Sequence, residues 1–329
     1  MARADLLKKL FRSYKFNDNE SFIKAAELII DEERKKNHLV LADELKRILY
    51  SEHLSKPKSI SVLQTTQPKD LDKNAPLFEV KFPDKFFNDL IVAEDIKENL
   101  MDILKDYLHW DALVSNGLKP NNKLLFYGPP GCGKTITAEA LAGELGLPLL
   151  YIRFDAVISS FLGETSTNIR KIFDYASSGS WIIFFDEFDA IGRSRADDGE
   201  NSEIKRVVNA FLQLMDNFTG RSIIVAATNY EKVLDHALWR RFTEIIKFDL
   251  PTADSIHKLL LTRLSRFAGP EQKLVELSNE LCGYSQADIE RVCQNVLKRC
   301  IMEGRTYYTK FDLDRAVSKE ADRKKAQNQ

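Results

Sequence analysis

Eight residues constrain this chain more than any others: Gly128-Pro129-Pro130-Gly131-Cys132-Gly133-Lys134-Thr135. They follow an apolar run, Lys123-Leu124-Leu125-Phe126-Tyr127, and precede Ile136–Leu145, which has good helix propensity. The pattern fits G-x-x-x-x-G-K-[ST], a strand, glycine-rich loop and helix in which backbone N–H groups cradle phosphate oxygens. Glycine permits the close wrap and the left-handed conformations such a loop needs. The helix N-terminus adds a favourable dipole. The chain holds only 14 glycines among 329 residues, yet three of them fall within these six positions, 128–133. A loop of this kind requires a parallel sheet around it, and the sequence supplies one. Leu149–Ile152, Trp181–Phe185 and Ser222–Ala227 are further continuous apolar runs separated by helical patterns, as strands covered on both faces require.

Three further segments carry chemistry. Asp186 closes the Trp181–Phe185 run, where a carboxylate is costly unless a cation pairs with it, and Mg2+ meets that need. Glu187 follows and can polarise an attacking water. Asn229 ends the next run and can hold that water or touch a terminal phosphate. Arg240 and Arg241 are adjacent after Leu238-Trp239, placed to act on a phosphate bound by a neighbouring chain. Lys134 would bridge the β- and γ-phosphates, and the Thr135 hydroxyl would ligate Mg2+ beside Asp186.

On these residues the chain resembles the AAA family of ATPases, from about residue 87 to 317 (231 of 329 positions). The resemblance assigns Gly128–Thr135 as Walker A, Asp186-Glu187 as Walker B, Asn229 as sensor 1 and Arg240-Arg241 as the arginine-finger segment. It assigns Gly283-Tyr284-Ser285-Gln286-Ala287-Asp288-Ile289 as the lid motif, in which Gly283 and Ala287 contact nucleotide, with Ile91 near the base. It implies ATP and Mg2+ as cofactors and a homo-oligomeric ring, usually a hexamer, with ATP between subunits. Phe161-Leu162-Gly163 resembles the central pore loop, whose aromatic grips an extended polypeptide, and residues 193–201 would form a second pore loop. The sequence departs from many relatives in three places. Cys132 replaces Thr or Ser, predicting sensitivity to thiol reagents; Val92 stands where Gly is frequent; and the two arginines lack an intervening Pro-Gly. The last feature resembles the katanin and spastin branch and compact prokaryotic AAA proteins. There is no clear sensor 2 arginine and no His-Glu-x-x-His zinc-protease motif.

The fold expected is α/β: a P-loop NTPase parallel sheet with helices on both faces, a helical C-terminal lid and a small helical N-terminal bundle. The expected domains are a recognition unit over 1–52, a linker over 53–85, a large ATPase subdomain over 86–251 and a lid over 252–329. Phe22, Ala25, Ala26, Leu28, Ile29 and Ile30 form one helical stripe and Leu39, Leu41, Leu45 and Leu49 another. Pro57, Pro68, Pro76 and Pro83 punctuate the linker. Lys and Arg number 48 against 49 Asp and Glu, so the net charge of -1 argues against a nucleic-acid motor. The four cysteines form no Cys-x-x-Cys pair and no apolar run reaches the length of a membrane span, which points to the cytoplasm. Two functions compete. One is a remodeller that threads a polypeptide substrate; the other is an ATP-dependent regulator of a co-encoded protease or nuclease.

Overall fold

The apolar runs are strands buried on both faces. A computed structural model describes residues 6, 9, 19–35, 68, 76–154, 162–189, 201–230 and 236–327. Six strands form one sheet: β1 (Glu79–Lys81), β2 (Lys123–Tyr127), β3 (Leu149–Arg153), β4 (Ile182–Asp186), β5 (Ile223–Thr228) and β6 (Glu244–Lys247), in the order β1-β3-β4-β5-β2-β6. β2 to β6 are parallel to their neighbours, and β1 pairs antiparallel with β3. Successive strand residues point to opposite faces, so each strand must be apolar twice over. On one face Leu124, Phe126, Ile182, Phe184 and Val225 pack against Ile96, Leu100 and Ile103 of α2 (Glu94–Leu108) and against Ala138 and Leu141 of α4 (Lys134–Leu145). The short α3 (Trp110–Ser115) follows α2. On the other face Phe185 meets Phe173 of α5 (Leu162–Ala176) at 5.9 Å and Phe211 of α6 (Asn201–Asn217) at 5.2 Å, and Phe154 and Phe188 join them. Each such ring, fully buried, contributes roughly 1.5–3 kcal/mol.

Beyond α7 (His236–Trp239) and β6, the chain is helical: α8 (Ala253–Leu264), α9 (Glu271–Glu280), α10 (Gln286–Met302) and α11 (Lys310–Gln327). These helices have their own core, including Ile256, Leu260, Leu277, Ile289, Val292 and Leu313. α10 starts in a capping box: Ser285 Oγ accepts from Asp288 N–H, and the Asp288 carboxylate accepts from Ser285 N–H at 2.9 Å.

Two strands were not expected. Residues 76–85 belong to the predicted linker, yet Leu77 and Phe78 are buried and Glu79–Lys81 extend the sheet along β3. β6 pairs with β2 on the opposite side. Both are three or four residues long with charged ends, too short to show a period of two. The sheet is therefore mostly parallel, with an antiparallel edge. Residues 1–64 form a unit distinct from 65–329. In that first unit α1 (Asn19–Lys35) buries Ala25 and Ile30, while Leu28, expected on the same stripe, is exposed. The second predicted stripe, Leu39–Leu49, lies outside the described residues. Among the described residues, no helix is long and apolar enough to cross a membrane.

Candidate nucleotide-binding and hydrolysis site

The sheet order brings the predicted residues together. β5 lies between β2 and β4, so the carboxyl ends of three strands deliver the loop after Tyr127, the Asp186-Glu187 pair and Asn229 to one edge. After β2 the chain crosses to β3, and β6 lies on the other side of β2, leaving a crevice at the carboxyl ends where ligands bind in open α/β sheets.

The glycines of the loop are required by geometry. Gly128 has φ 136°, and a Cβ there would lie 1.9 Å from the Phe248 carbonyl oxygen. Gly133, at φ 97°, is the N-cap of the twelve-residue α4. The lid packs directly on this loop: Ala287 N–H donates to Gly131 O at 3.0 Å, and Gln286 Nε2 donates to Ile91 O at 2.6 Å. Ile91 packs against the lid core and its neighbour Val92 against the sheet core, so the predicted base-side residues bridge the two cores. Gly283, at φ 90°, lies just before the lid helix, and its carbonyl accepts from Lys324 Nζ at 2.9 Å. Pro129 is half-buried, and Pro130 and Gly131 are exposed at the loop's outer turn.

Lys134 is buried, and its ammonium donates to the carbonyls of Gly128 at 2.7 Å and Pro129 at 2.9 Å. Burial pushes its pKa below the ordinary lysine value, against the pull of nearby Cys132, Asp186 and Asp189. The Thr135 hydroxyl donates to Asp186 Oδ2 at 3.5 Å. Asp186 Oδ1 accepts from Glu187 N–H at 2.9 Å, and Oδ2 also accepts from the Tyr151 hydroxyl at 2.9 Å. Glu187 is exposed and has φ 54°, the one positive φ outside glycine among the described residues. A non-glycine residue held there stores backbone strain, which concentrates at functional positions. Asn229 N–H donates to Asp189 Oδ1 at 3.5 Å, which ties the end of β5 to the turn after β4.

Cys132 departs from expectation. Its backbone belongs to the loop, but its side chain is 1% exposed and sits in the sheet core beside α4. Burial pushes the thiol pKa up, so it is a packing group rather than a reactive thiolate. Arg240 and Arg241 are exposed at the turn after α7, whose Trp239 stacks edge-on against Tyr127 at 5.1 Å. Arg241 Nε pairs with Asp216 of α6 at 3.1 Å. Phe161 and residues 193–200 lie outside the described residues; Leu162 and Gly163 open α5, and Asn201 opens α6. Tyr151 and Asp189 touch the candidate site and were passed over by sequence reasoning, which named Gln286 only within the lid motif. A lone hydroxyl in the strand Leu149–Ile152 was the available signal for the first of these.

Residues 124–250 match the family described as ATPase family associated with various cellular activities (AAA). The chain is 41% identical over 333 aligned positions to the uncharacterized AAA family ATPase y4kL of Sinorhizobium fredii, covering 99% of this chain and 98% of that one. This chain belongs to the AAA ATPase family. It is also 32% identical over 268 positions to a protein of Methanocaldococcus jannaschii described as a 26S proteasome regulatory subunit homolog, covering 80% of this AAA chain and 71% of its relative.

Proposed function

We propose that this AAA protein hydrolyses ATP with Mg2+ and, assembled as a ring, uses the energy to remodel or move a polypeptide. The observation that carries the hydrolysis is the convergence of Lys134, Thr135, Asp186 and Glu187 at the carboxyl edge of the sheet. The donor set fits the ligand. Gly131 and Gly133 hold the loop at positive φ, where a Cβ would meet Ser285 and Ala287 or Gln286 of the lid, the Lys134 ammonium donates to loop carbonyls it can exchange for phosphate oxygens, and a hydroxyl and a carboxylate face each other as hard oxygen ligands.

ATP supplies the phosphoanhydride bond, and Mg2+ supplies charge neutralisation on its phosphates. The backbone N–H groups of Gly131, Cys132 and Gly133 bind phosphate oxygens at the start of α4. Lys134 leaves the Gly128 and Pro129 carbonyls to bind the terminal phosphates. Thr135 and Asp186 hold the metal. Glu187 takes the proton of the attacking water, and Asn229 orients that water. Ile91, Gly283 and Ala287 close on the base and sugar side. Arg240 and Arg241 complete the site of the neighbouring subunit, which makes a ring, a hexamer by family habit, the working unit. Phe161, with Leu162 and Gly163, grips polypeptide in the central pore.

The description of the archaeal relative as a proteasome regulatory subunit homolog favours a polypeptide substrate. It equally favours the second reading, a regulator of a separately encoded protease. We place the protein in the cytoplasm, where its four free cysteines stay reduced. The unit within residues 1–64 is assigned to partner or substrate recognition, and 252–329 to the lid.

Glu187→Gln should cut ATP hydrolysis by at least about a hundredfold while retaining ATP binding; unimpaired turnover removes Glu187 as the base. Phe161→Ala should keep ATPase activity and lose substrate processing; unaltered processing removes the threading claim. Affinity purification with Glu187→Gln separates the two readings, since a trapped, diverse set of polypeptides supports remodelling and one stoichiometric protease supports regulation.

A further inference from the structure

We propose that Tyr151 is a positioning residue that fixes the Asp186 carboxylate for Mg2+. The assignment rests on the ATPase reading above and goes beyond it, because a tyrosine on the neighbouring strand, outside every motif, then sets metal affinity.

The argument starts from strand register. Tyr151 of β3 pairs with Phe184 of β4, and Arg153 pairs with Asp186. Residues 184 and 186 share a face, so the Tyr151 side chain lies on the side of the sheet that Asp186 uses. The Tyr151 ring packs on Phe184, with centroids 5.8 Å apart, and the side chain is long enough to reach the strand's end. There its hydroxyl donates to Asp186 Oδ2 at 2.9 Å.

The carboxylate is thereby held at both oxygens. Oδ1 is fixed by the Glu187 N–H at 2.9 Å, and Oδ2 by Tyr151, while the Thr135 hydroxyl faces the same Oδ2 at 3.5 Å. Each carboxylate oxygen has two lone pairs, so Oδ2 can keep the tyrosine and still serve a metal or its water on the Thr135 side. When Thr135 turns toward Mg2+, Tyr151 is the donor that keeps Asp186 from rotating away. A hydrogen bond to an ionised acceptor is of the strong class.

The edge strand supports the tyrosine. Lys81 of β1 places its ammonium 3.9 Å from the Tyr151 ring centroid, and that ammonium lies 4.0 Å from Glu139 of α4. This gives the antiparallel edge strand a reason to exist near the site: it clamps the ring from the outer side.

The test is Tyr151→Phe in the full-length protein, which keeps the ring, its packing on Phe184 and the lysine contact. Binding of a fluorescent ATP analogue is titrated in EDTA and then against Mg2+. We expect binding in EDTA within twofold of wild type, and a Mg2+ half-saturation concentration raised about tenfold or more, the effect of deleting a charged hydrogen bond. Unchanged Mg2+ half-saturation overturns the assignment. So does a parallel loss of binding in EDTA, which marks a tyrosine needed only for folding. A wild-type protein without Mg2+-dependent nucleotide binding overturns the ATPase reading itself, and this assignment with it.

Discussion

At the residue scale, the same loop contains side chains with opposite fates. Lys134 and Cys132 are two positions apart and both are buried, but the lysine turns to the loop carbonyls and the cysteine into the sheet core. Motif reading locates both and cannot say which way either points, because direction depends on α4 packing against the sheet. The consequence for cysteine chemistry is testable. Cys282 is exposed, whereas Cys132, Cys293 and Cys300 are buried, with burial pushing Cys293 up to about 12 and the other two above their ordinary value. A thiol-reactive chromophore should therefore label one cysteine rapidly in the native protein and the other three only on unfolding. A second rapid thiol, protected by ATP, would restore the thiol-sensitivity expectation for Cys132.

At the element scale, the lid is held by buried charge as well as by its apolar core. Thr309 and Asp312 form a reciprocal cap at the start of α11, and Arg305 grips the Asp312 carboxylate with both guanidinium nitrogens at 2.8 and 3.1 Å. That contact holds the Asp312 carboxyl far below its ordinary 3.8, although burial pushes the other way. A carboxyl depressed on folding contributes stability that is present above its unfolded pKa and is lost as pH falls through the folded one. Asp312→Asn should therefore cost about 3 kcal/mol at pH 7, the low end for breaking a buried pair because Arg305 keeps some water. The difference from wild type should shrink steadily below about pH 4, the unfolded aspartate value. Denaturant melts at pH 7 and pH 3 measure both. The long elements, β2 to β5 and α4, were legible because continuous apolar runs and good helix propensity leave room for few alternatives. The edge strands β1 and β6 were not, since three or four residues acquire strand character only from the neighbour they pair with.

At the scale of the whole molecule, one chain brings Lys134, Thr135, Asp186 and Glu187 to one edge of the sheet, while its two candidate fingers sit exposed after α7. The Arg241–Asp216 pair is itself half exposed, and such pairs contribute at most about 1 kcal/mol. Replacing both Arg240 and Arg241 by Ala should then leave folding and nucleotide binding intact. It should lower hydrolysis by about a thousandfold or more, the scale of an arginine finger. Wild-type activity per chain should rise with protein concentration, and the double variant's should not; a finger acting within its own chain would show no such dependence. What the sequence by itself determined is the chemistry: the glycine-lysine-threonine loop, the Asp186-Glu187 pair at a strand end and the fold class those features demand, because backbone sterics and the cost of burying charge act on local residue order. What only the tertiary structure decided is the company these residues keep. Tyr151 on Asp186, Gln286 on Ile91, Cys132 turned inward and β1 on the sheet edge all depend on strand register and helix packing, which set distances between residues far apart in the chain and leave no local mark.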